Sequence, residues 1–149
     1  MKSTNAFSAE RHPVGAQLGG ISGVFVHEDS PLPYADGKIF QLLRFHPDGL
    51  VLHVTVCLPG NIPEVWPKMR TWFHRESKSE ISRGEYYILD KHIWFSTTAT
   101  YQSEEINTVT VDYSGTCSEN MLILDSWCRS NGHESADVEY IRLNVDLDE

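Results

Sequence analysis

Paired runs of β-favouring residues, separated by short turns, extend from Lys38 to Val145 and limit what this chain can fold into. Consecutive hairpins bring strands together in sequence order, and a meander of about eight strands can close into a barrel with an interior cavity. The sequence therefore predicts an all-β fold, a single antiparallel up-and-down barrel of about eight strands.

The turn His46–Gly49 gives a strong hairpin signal. Its proline presets the first turn angle, and its glycine accepts the left-handed conformation that closes a bulged loop. If the loop has three residues, Leu42 lies opposite Val54 and Arg44 lies opposite Leu52.

Neither face of this first hairpin is polar. One face carries Phe40, Leu42, Arg44, Leu50, Leu52, Val54 and Val56, and the other carries Ile39, Gln41, Leu43, Phe45, Val51, His53, Thr55 and Cys57. Such a hairpin is expected where one face lines a cavity and the other is covered by a helix, an arm or a partner.

A second hairpin turns at Asp90-Lys91. A two-residue loop there sets Ile88 opposite Ile93 and Tyr86 opposite Phe95. We expect these four side chains to share a core face.

The remaining strands are predicted at Gly20–His27, Ile106–Gly115, Met121–Trp127 and Asp137–Val145. The segment Pro59–Met69 contains prolines that exclude a long regular helix, although a single helical turn starting at Asn61 is compatible with them. The segment Arg70–Arg75 is predicted to be either a short strand or the end of the irregular connection that begins at Pro59. Residues 1–18 are predicted to be a flexible N-terminal arm, and residues 19–149 the barrel domain.

The charge balance limits the partners. Twelve Lys and Arg against 21 Asp and Glu give a net charge of -9, which repels phosphate backbones and argues against nucleic acid and a polybasic membrane anchor. Met1–Gly20 has no apolar signal core, and no stretch approaches the ~20 apolar residues of a membrane span. The chain is therefore predicted to be soluble and cytoplasmic, without membrane contact.

Familiar catalytic and metal-binding motifs are missing from the sequence. The cysteines Cys57, Cys117 and Cys128 lack metal-ligand spacing and are expected to be buried free thiols. No phosphate-binding glycine loop, nucleophile elbow or paired-histidine zinc motif occurs. The sequence predicts neither a metal nor a cofactor.

Polar residues on otherwise apolar strands are the first candidates for a binding site. Gln41 and His53 lie on adjacent strands and share a face if the hairpin register holds, where a neutral imidazole could bond a buried amide or a ligand oxygen. Arg44 is either a cavity cation or a side chain whose stem covers its neighbours while its head reaches water. Tyr140 and Arg142 project to one side of the last strand, which is either the inner side or the outer side.

The segment Trp66–Arg83 concentrates basic and aromatic residues on an otherwise acidic chain. Trp72, His74 and Arg75 could form a mouth or lid that stacks an aromatic ligand and attracts its acidic group. The alternative is a solvated loop, because glutamates interleave with the bases. Tyr86 and Trp94 are further aromatic candidates for lining a cavity.

Four short motifs follow one another along the strands: Gly84-Glu85-Tyr86, Ile93-Trp94-Phe95, Tyr113-Ser114-Gly115 and Leu122-Ile123-Leu124. Their succession resembles the repeating signature of lipocalin-like barrels of the calycin group. Gly23-Val24-Phe25 stands where such families carry G-x-W, with phenylalanine in place of tryptophan. The resemblance covers about two-thirds of the chain and supports fold more than function.

The resemblance implies a calyx for a small hydrophobic molecule, although relatives in that group include enzymes. Tyr140 and Arg142 also resemble, in reversed order, the Arg-x-Tyr pair with which fatty-acid-binding barrels hold a carboxylate.

Three hypotheses about function follow. The first is a non-catalytic protein that binds a small hydrophobic or aromatic molecule, with or without an anionic group, in the barrel. The second is a small barrel enzyme, an isomerase, cyclase or lyase, that uses His53, Tyr140 or Arg142. The third is a dimeric interaction module that exposes an apolar face including Phe40, Leu43 or Trp94.

Overall fold

The computed structural model describes residues 12–29, 37–77, 81–102 and 106–147. Residues 1–11 of the predicted arm lie outside this part of the chain. Over the described residues there are nine strands and one helix. Their bounds are β1 Gln17–Leu18, β2 Gly23–Glu28, β3 Lys38–Phe45, β4 Leu50–Leu58, α1 Ile62–Met69, β5 Ser82–Leu89, β6 His92–Gln102, β7 Ile106–Cys117, β8 Met121–Cys128 and β9 Glu134–Leu143.

Eight of the strands form a closed antiparallel up-and-down barrel, which confirms the predicted fold class. Each strand from β2 to β9 pairs with the next one in sequence, and β9 returns to pair with β2. The short strand β1 pairs with β5 through Gln17 and Leu18, beyond the point where β4 stops pairing with β5. Strand β1 was not predicted, and it lies inside the segment predicted to be an arm.

The predicted hairpin registers are confirmed. In the first hairpin Leu42 pairs with Val54 and Arg44 with Leu52. The turn glycine, Gly49, has a φ of 110°, in the left-handed region that the turn requires. The second hairpin also has its predicted register, with Ile88 opposite Ile93 and Tyr86 opposite Phe95.

The β3–β4 hairpin is buried on both faces, as its sequence predicted. Its inner face contributes Leu43, Phe45 and Val51 to the cluster that fills the barrel. Its outer face packs under helix α1 in a second cluster, which includes Leu42 and Leu52. One hydrophobic sheet surface thus faces the interior and the other is covered by a helix.

Helix α1 is longer than the predicted single turn. It spans two turns, with Pro63 in its first turn and Pro67 inside it. The helix tolerates Pro67 because so short a helix has few internal N–H bonds, and this proline removes only the bond to the carbonyl of Pro63. The following segment, Arg70–Arg75, forms turns, so the strand alternative was wrong.

Other details of the sequence prediction also need correction. The first barrel strand begins at Gly23, three residues later than predicted, and the last strand spans Glu134–Leu143. All three cysteines are free thiols, as predicted, but Cys57 is exposed and Cys117 and Cys128 are only partly buried. No helix in the described part of the chain is long and apolar enough to cross a membrane.

Candidate functional site

One end of the barrel, where β2, β4, β6 and β8 begin, is sealed by side chains. The Tyr86 hydroxyl lies 2.6 Å from the carbonyl oxygen of His46 and 2.7 Å from that of Ile21. It also accepts a hydrogen bond from the backbone N–H of Ile21 at 2.9 Å. Burial raises the pKa of Tyr86 to about 12, so the hydroxyl keeps its proton in this position.

Arg142 closes the same end from β9. Its Nη1 donates to the carbonyl oxygen of Ser22 at 2.6 Å, and its Nε donates to the carbonyl oxygen of Glu119. The guanidinium carbon lies 4.6 Å from the ring centre of Phe25. A side chain at Gly23 would collide with Nη1, since an added Cβ would lie 2.1 Å from it.

Aromatic rings fill the middle of the barrel. The ring of Phe45 packs edge-on against Tyr86 and Phe95, with centroids 5.0 Å and 5.5 Å apart. Phe95 stacks on Tyr113 with centroids 4.6 Å apart. This layer separates the sealed end from the other end of the barrel.

A cavity of about 270 Å³ occupies the other end. Its walls come from β2, β3, β4, β7, β8 and β9 and from the residues that flank them. The lining residues are His27, Asp29, Gln41, His53, Val111, Tyr113, Ser126, His133, Ser135, Val138 and Tyr140. They combine aromatic rings with hydrogen-bonding groups, as expected of a small-molecule site.

A hydrogen-bonded chain crosses one wall of this cavity. Gln41 Nε2 donates to Asp29 Oδ2 at 2.8 Å, and Gln41 Oε1 lies 2.7 Å from His53 Nε2. The Thr55 hydroxyl donates to the same Gln41 oxygen at 2.7 Å. The predicted pairing of Gln41 with His53 is therefore present, and it continues to Asp29.

The His53 imidazole is neutral at pH 7. Burial lowers its pKa from 6.5 to about 4, and the nearby charge of Asp29 only partly opposes that shift. Burial also raises the pKa of Tyr113 and of Tyr140 well above the usual value for a phenol. Near pH 7 these three groups thus act as neutral hydrogen-bonding groups.

A second pair borders the cavity at its mouth. His27 Nδ1 donates to the carbonyl oxygen of Glu139 at 3.1 Å, and His27 Nε2 lies 3.2 Å from Asp29 Oδ1. The His27 ring also lies against Tyr140, with centroids 5.7 Å apart. Asp29 therefore contacts both His27 at the mouth and Gln41, which is hydrogen-bonded to His53 in the cavity wall.

Three of the residues singled out from sequence line the cavity, namely Gln41, His53 and Tyr140. Tyr140 is inward-facing and 5% exposed, whereas its neighbour Ile141 is 48% exposed, which settles the phase of the last strand. Tyr86 and Arg142 are at the sealed end instead. Arg142 is occupied there by backbone carbonyls, so it does not form a carboxylate-binding pair with Tyr140.

The other predicted residues lie outside the barrel. Arg44 is buried beneath helix α1, where it donates to the carbonyl oxygen of Phe73 at 2.6 Å. Trp72 packs against that outer cluster, and His74 bonds the carbonyl oxygen of Thr71. Arg75 is exposed and paired with Asp48, while Trp94 lies half-buried on the outer face of β6 against His92.

Two of the three residues named for a dimer face are not exposed, whereas the third, Trp94, lies half-buried on the outer face of β6. Phe40 is covered by the outer cluster and Leu43 lies inside the barrel. Among the described residues the exposed large hydrophobic side chains are Val14, Leu18 and Ile141.

Sequence reasoning missed several polar members of the site, among them Asp29, Tyr113 and His27. Asp29 follows the last residue of β2, and Tyr113 lies within the Tyr113-Ser114-Gly115 motif of β7. His27 is the penultimate residue of β2 and lines the cavity. The alternation of β2 would have indicated the inward position of His27, because it lies two residues after the inward-facing Phe25.

An open hollow of about 470 Å³ lies on the outer face of β5, β6 and β7. At its floor Arg129 forms two bonds of 2.8 Å to the buried carboxylate of Asp112, which also accepts a bond from Ser96. His12 stacks on Tyr87 at its edge, with centroids 3.9 Å apart. Arg129 and Asp112 on this surface thus satisfy each other's charge.

Within the described ranges, no group of three or more His, Cys, Asp or Glu side chains is placed to hold a metal ion. Comparison of the chain with family models, with curated proteins and with solved structures gives no match.

Proposed function

We propose that this protein is a non-catalytic binding protein that holds one small molecule in the cavity lined by His53 and Tyr140. The observation that carries the proposal is the convergence of hydrogen-bonding groups from several strands on one 270 Å³ space with aromatic walls. The rest of the barrel interior is filled by side chains, so this space is a local feature of one end. The lipocalin-like signature of the strands supports the same use. The proposal includes a cytoplasmic location for the protein.

The protonation properties of the site favour binding over acid–base catalysis. An effective general base has a pKa near the working pH, whereas that of His53 is about 4. Tyr113 and Tyr140 have raised pKa values and are correspondingly weak acids. Arg142, the third group of the enzyme hypothesis, is at the sealed end, away from the other two.

Native mass spectrometry tests the proposal on protein purified from cells. We expect a non-covalent small molecule that is lost when the protein is denatured. Val138→Trp places a large ring in the cavity and should abolish this mass difference, because Val138 is a lining residue.

Glu139→Trp is the matched control, since the neighbouring side chain is exposed on the outer face and should leave the mass difference unchanged. If Val138→Trp retains the bound molecule as fully as the control does, the ligand is not in this cavity and the proposal is wrong.

A further inference from the structure

We infer that the cavity selects a small aromatic molecule that carries a ring O–H or N–H group, and that Nδ1 of His53 accepts that hydrogen. The inference rests on the proposed function and specifies its ligand class. It depends on the order of donors and acceptors along the Asp29–Gln41–His53 chain.

The orientation of the Gln41 amide is fixed by Asp29. An ionised carboxylate only accepts hydrogen bonds, so the group 2.8 Å from Asp29 Oδ2 is the amide nitrogen. The amide oxygen of Gln41 therefore faces His53 and Thr55.

That oxygen in turn fixes the tautomer of His53. An amide oxygen has two lone pairs and no proton, and here it receives the Thr55 hydroxyl and His53 Nε2, each at 2.7 Å. Nε2 must therefore carry the ring hydrogen. In the neutral ring the other nitrogen, Nδ1, is left with a lone pair.

The Nδ1 lone pair is available for a ligand. No other described residue gives Nδ1 of His53 a hydrogen bond, and the imidazole lines the cavity. A ligand that covers Nδ1 without giving it a donor would leave an unsatisfied acceptor in the complex, so a ligand that brings a donor is preferred over one that does not. The hydrogen bonds from Asp29 through Gln41 keep the His53 ring in the tautomer that can accept a hydrogen bond from a ligand, before any ligand binds.

The lining also argues against anionic ligands. It includes the Asp29 carboxylate but no lysine or arginine. The arginines considered from sequence, Arg44, Arg75 and Arg142, all lie elsewhere and have other partners. A carboxylate placed in this cavity would lose its hydration without gaining a fixed cation.

The size and walls of the cavity define the rest of the ligand. A space of 270 Å³ corresponds to about nine water molecules at ~30 Å³ each. Phenol and indole have about that number of non-hydrogen atoms. The rings of Tyr113 and Tyr140 offer faces for stacking, and their phenol groups can bond a second polar atom.

Matched pairs of probes test the inference. Phenol is compared with anisole, and indole with 1-methylindole, because methylation removes the donor and keeps the ring. Dissociation constants are measured by protein-observed NMR titration, with benzoate as the anionic probe. We expect phenol and indole to bind about tenfold more tightly than their methylated partners, as one buried hydrogen bond predicts, and benzoate to bind more weakly than phenol.

The tautomer is measured separately by ¹⁵N NMR of the histidine rings in the unliganded wild-type protein, which requires no substitution. Nε2 of His53 should carry the hydrogen, and phenol should shift the Nδ1 resonance. His53→Phe should remove the preference for phenol over anisole. His92→Phe, a change at an exposed histidine on the outer face of β6, should retain it.

The outcomes separate this inference from the proposed function. Equal affinity for the members of each pair, tighter binding of benzoate, or a hydrogen on Nδ1 in the unliganded protein overturns the inference, although the cavity remains a binding site. If no probe perturbs the lining residues and native protein carries no small molecule, both proposals are wrong.

Discussion

Oε1 of Gln41 on β3 lies 2.7 Å from Nε2 of His53 on β4, inside a barrel whose interior is otherwise mostly apolar. The two residues are diagonal neighbours across the hairpin, since Gln41 pairs with Thr55 and His53 pairs with Leu43. This contact exists only if the register set by the His46–Gly49 turn is kept, because a one-residue slip of β4 against β3 would place the two side chains on opposite faces of the sheet.

The His53 site should make stability depend on pH. The unfolded chain binds a proton on this histidine near pH 6.5, whereas the folded chain does so only near pH 4. As pH falls through this window the unfolded state gains protons first, so the free energy of unfolding decreases, by roughly 2 kcal/mol at pH 5. Urea unfolding of the wild type and of His53→Gln at pH 7 and pH 5 should show the decrease only in the wild type.

The control for that experiment is His92→Gln, a change on the exposed outer face of β6. It should lose stability between pH 7 and pH 5 as the wild type does. If His53→Gln behaves like this control, the proposed cost of protonating His53 in the folded barrel is incorrect.

Tyr86 should be more important for stability than its neighbour Tyr87. Tyr86→Phe removes the hydroxyl that accepts the N–H of Ile21 and leaves that N–H without an acceptor among the described residues. We expect a loss of about 1–2 kcal/mol in the free energy of unfolding. Tyr87→Phe keeps the stack on His12 and should change stability by less than about 0.5 kcal/mol. Similar urea midpoints for the two variants would contradict the bonding assigned to Tyr86.

Gly23 and Arg142 should be energetically coupled. An added methyl group at Gly23 would displace the Arg142 guanidinium from Ser22 and Phe25, so Gly23→Ala and Arg142→Ala disrupt the same contacts. The double variant should therefore lose less stability than the sum of the single variants, by about 1–2 kcal/mol.

Gly20→Ala is the control for the backbone contribution. Gly20 also has a left-handed φ, of 112°, but an added Cβ would meet nothing within 4 Å. Its effect should add to that of Arg142→Ala without coupling. Additivity of Gly23→Ala with Arg142→Ala in a denaturation cycle would show that the two residues are independent.

The hairpins could be predicted because the turn residues that set each register are close in sequence to the strands they join. The turn His46–Gly49 determines which residues of β3 and β4 are opposite each other, and Asp90-Lys91 does so for β5 and β6. Strand β1 could not be predicted in this way, because two residues have no periodicity and their pairing with β5 depends on where β4 stops.

The site was only partly predictable because one hairpin is apolar on both faces. Sequence alternation shows that Arg44 and His53 lie on opposite faces, but it does not show which face is inside. That choice depends on helix α1 and the C-terminal segment, which cover the face that carries Arg44. The phase of β9 is determined in the same non-local way, and it places Tyr140 in the cavity.

The C-terminal segment after β9 should stabilise the covered outer face. Trp66 donates to the carbonyl oxygen of Asp146 at 2.6 Å, and Val145 and Leu147 pack on the outer cluster. Removal of residues 145–149 should lower the free energy of unfolding by about 3 kcal/mol, through lost apolar burial and an unsatisfied indole N–H. Urea unfolding followed by tryptophan fluorescence measures the loss.

Removal of residues 148–149 alone should have little effect, as should Arg70→Met, which breaks only an exposed ion pair with Asp146. An unchanged midpoint after the longer truncation would mean that helix α1 covers the barrel without help from this segment.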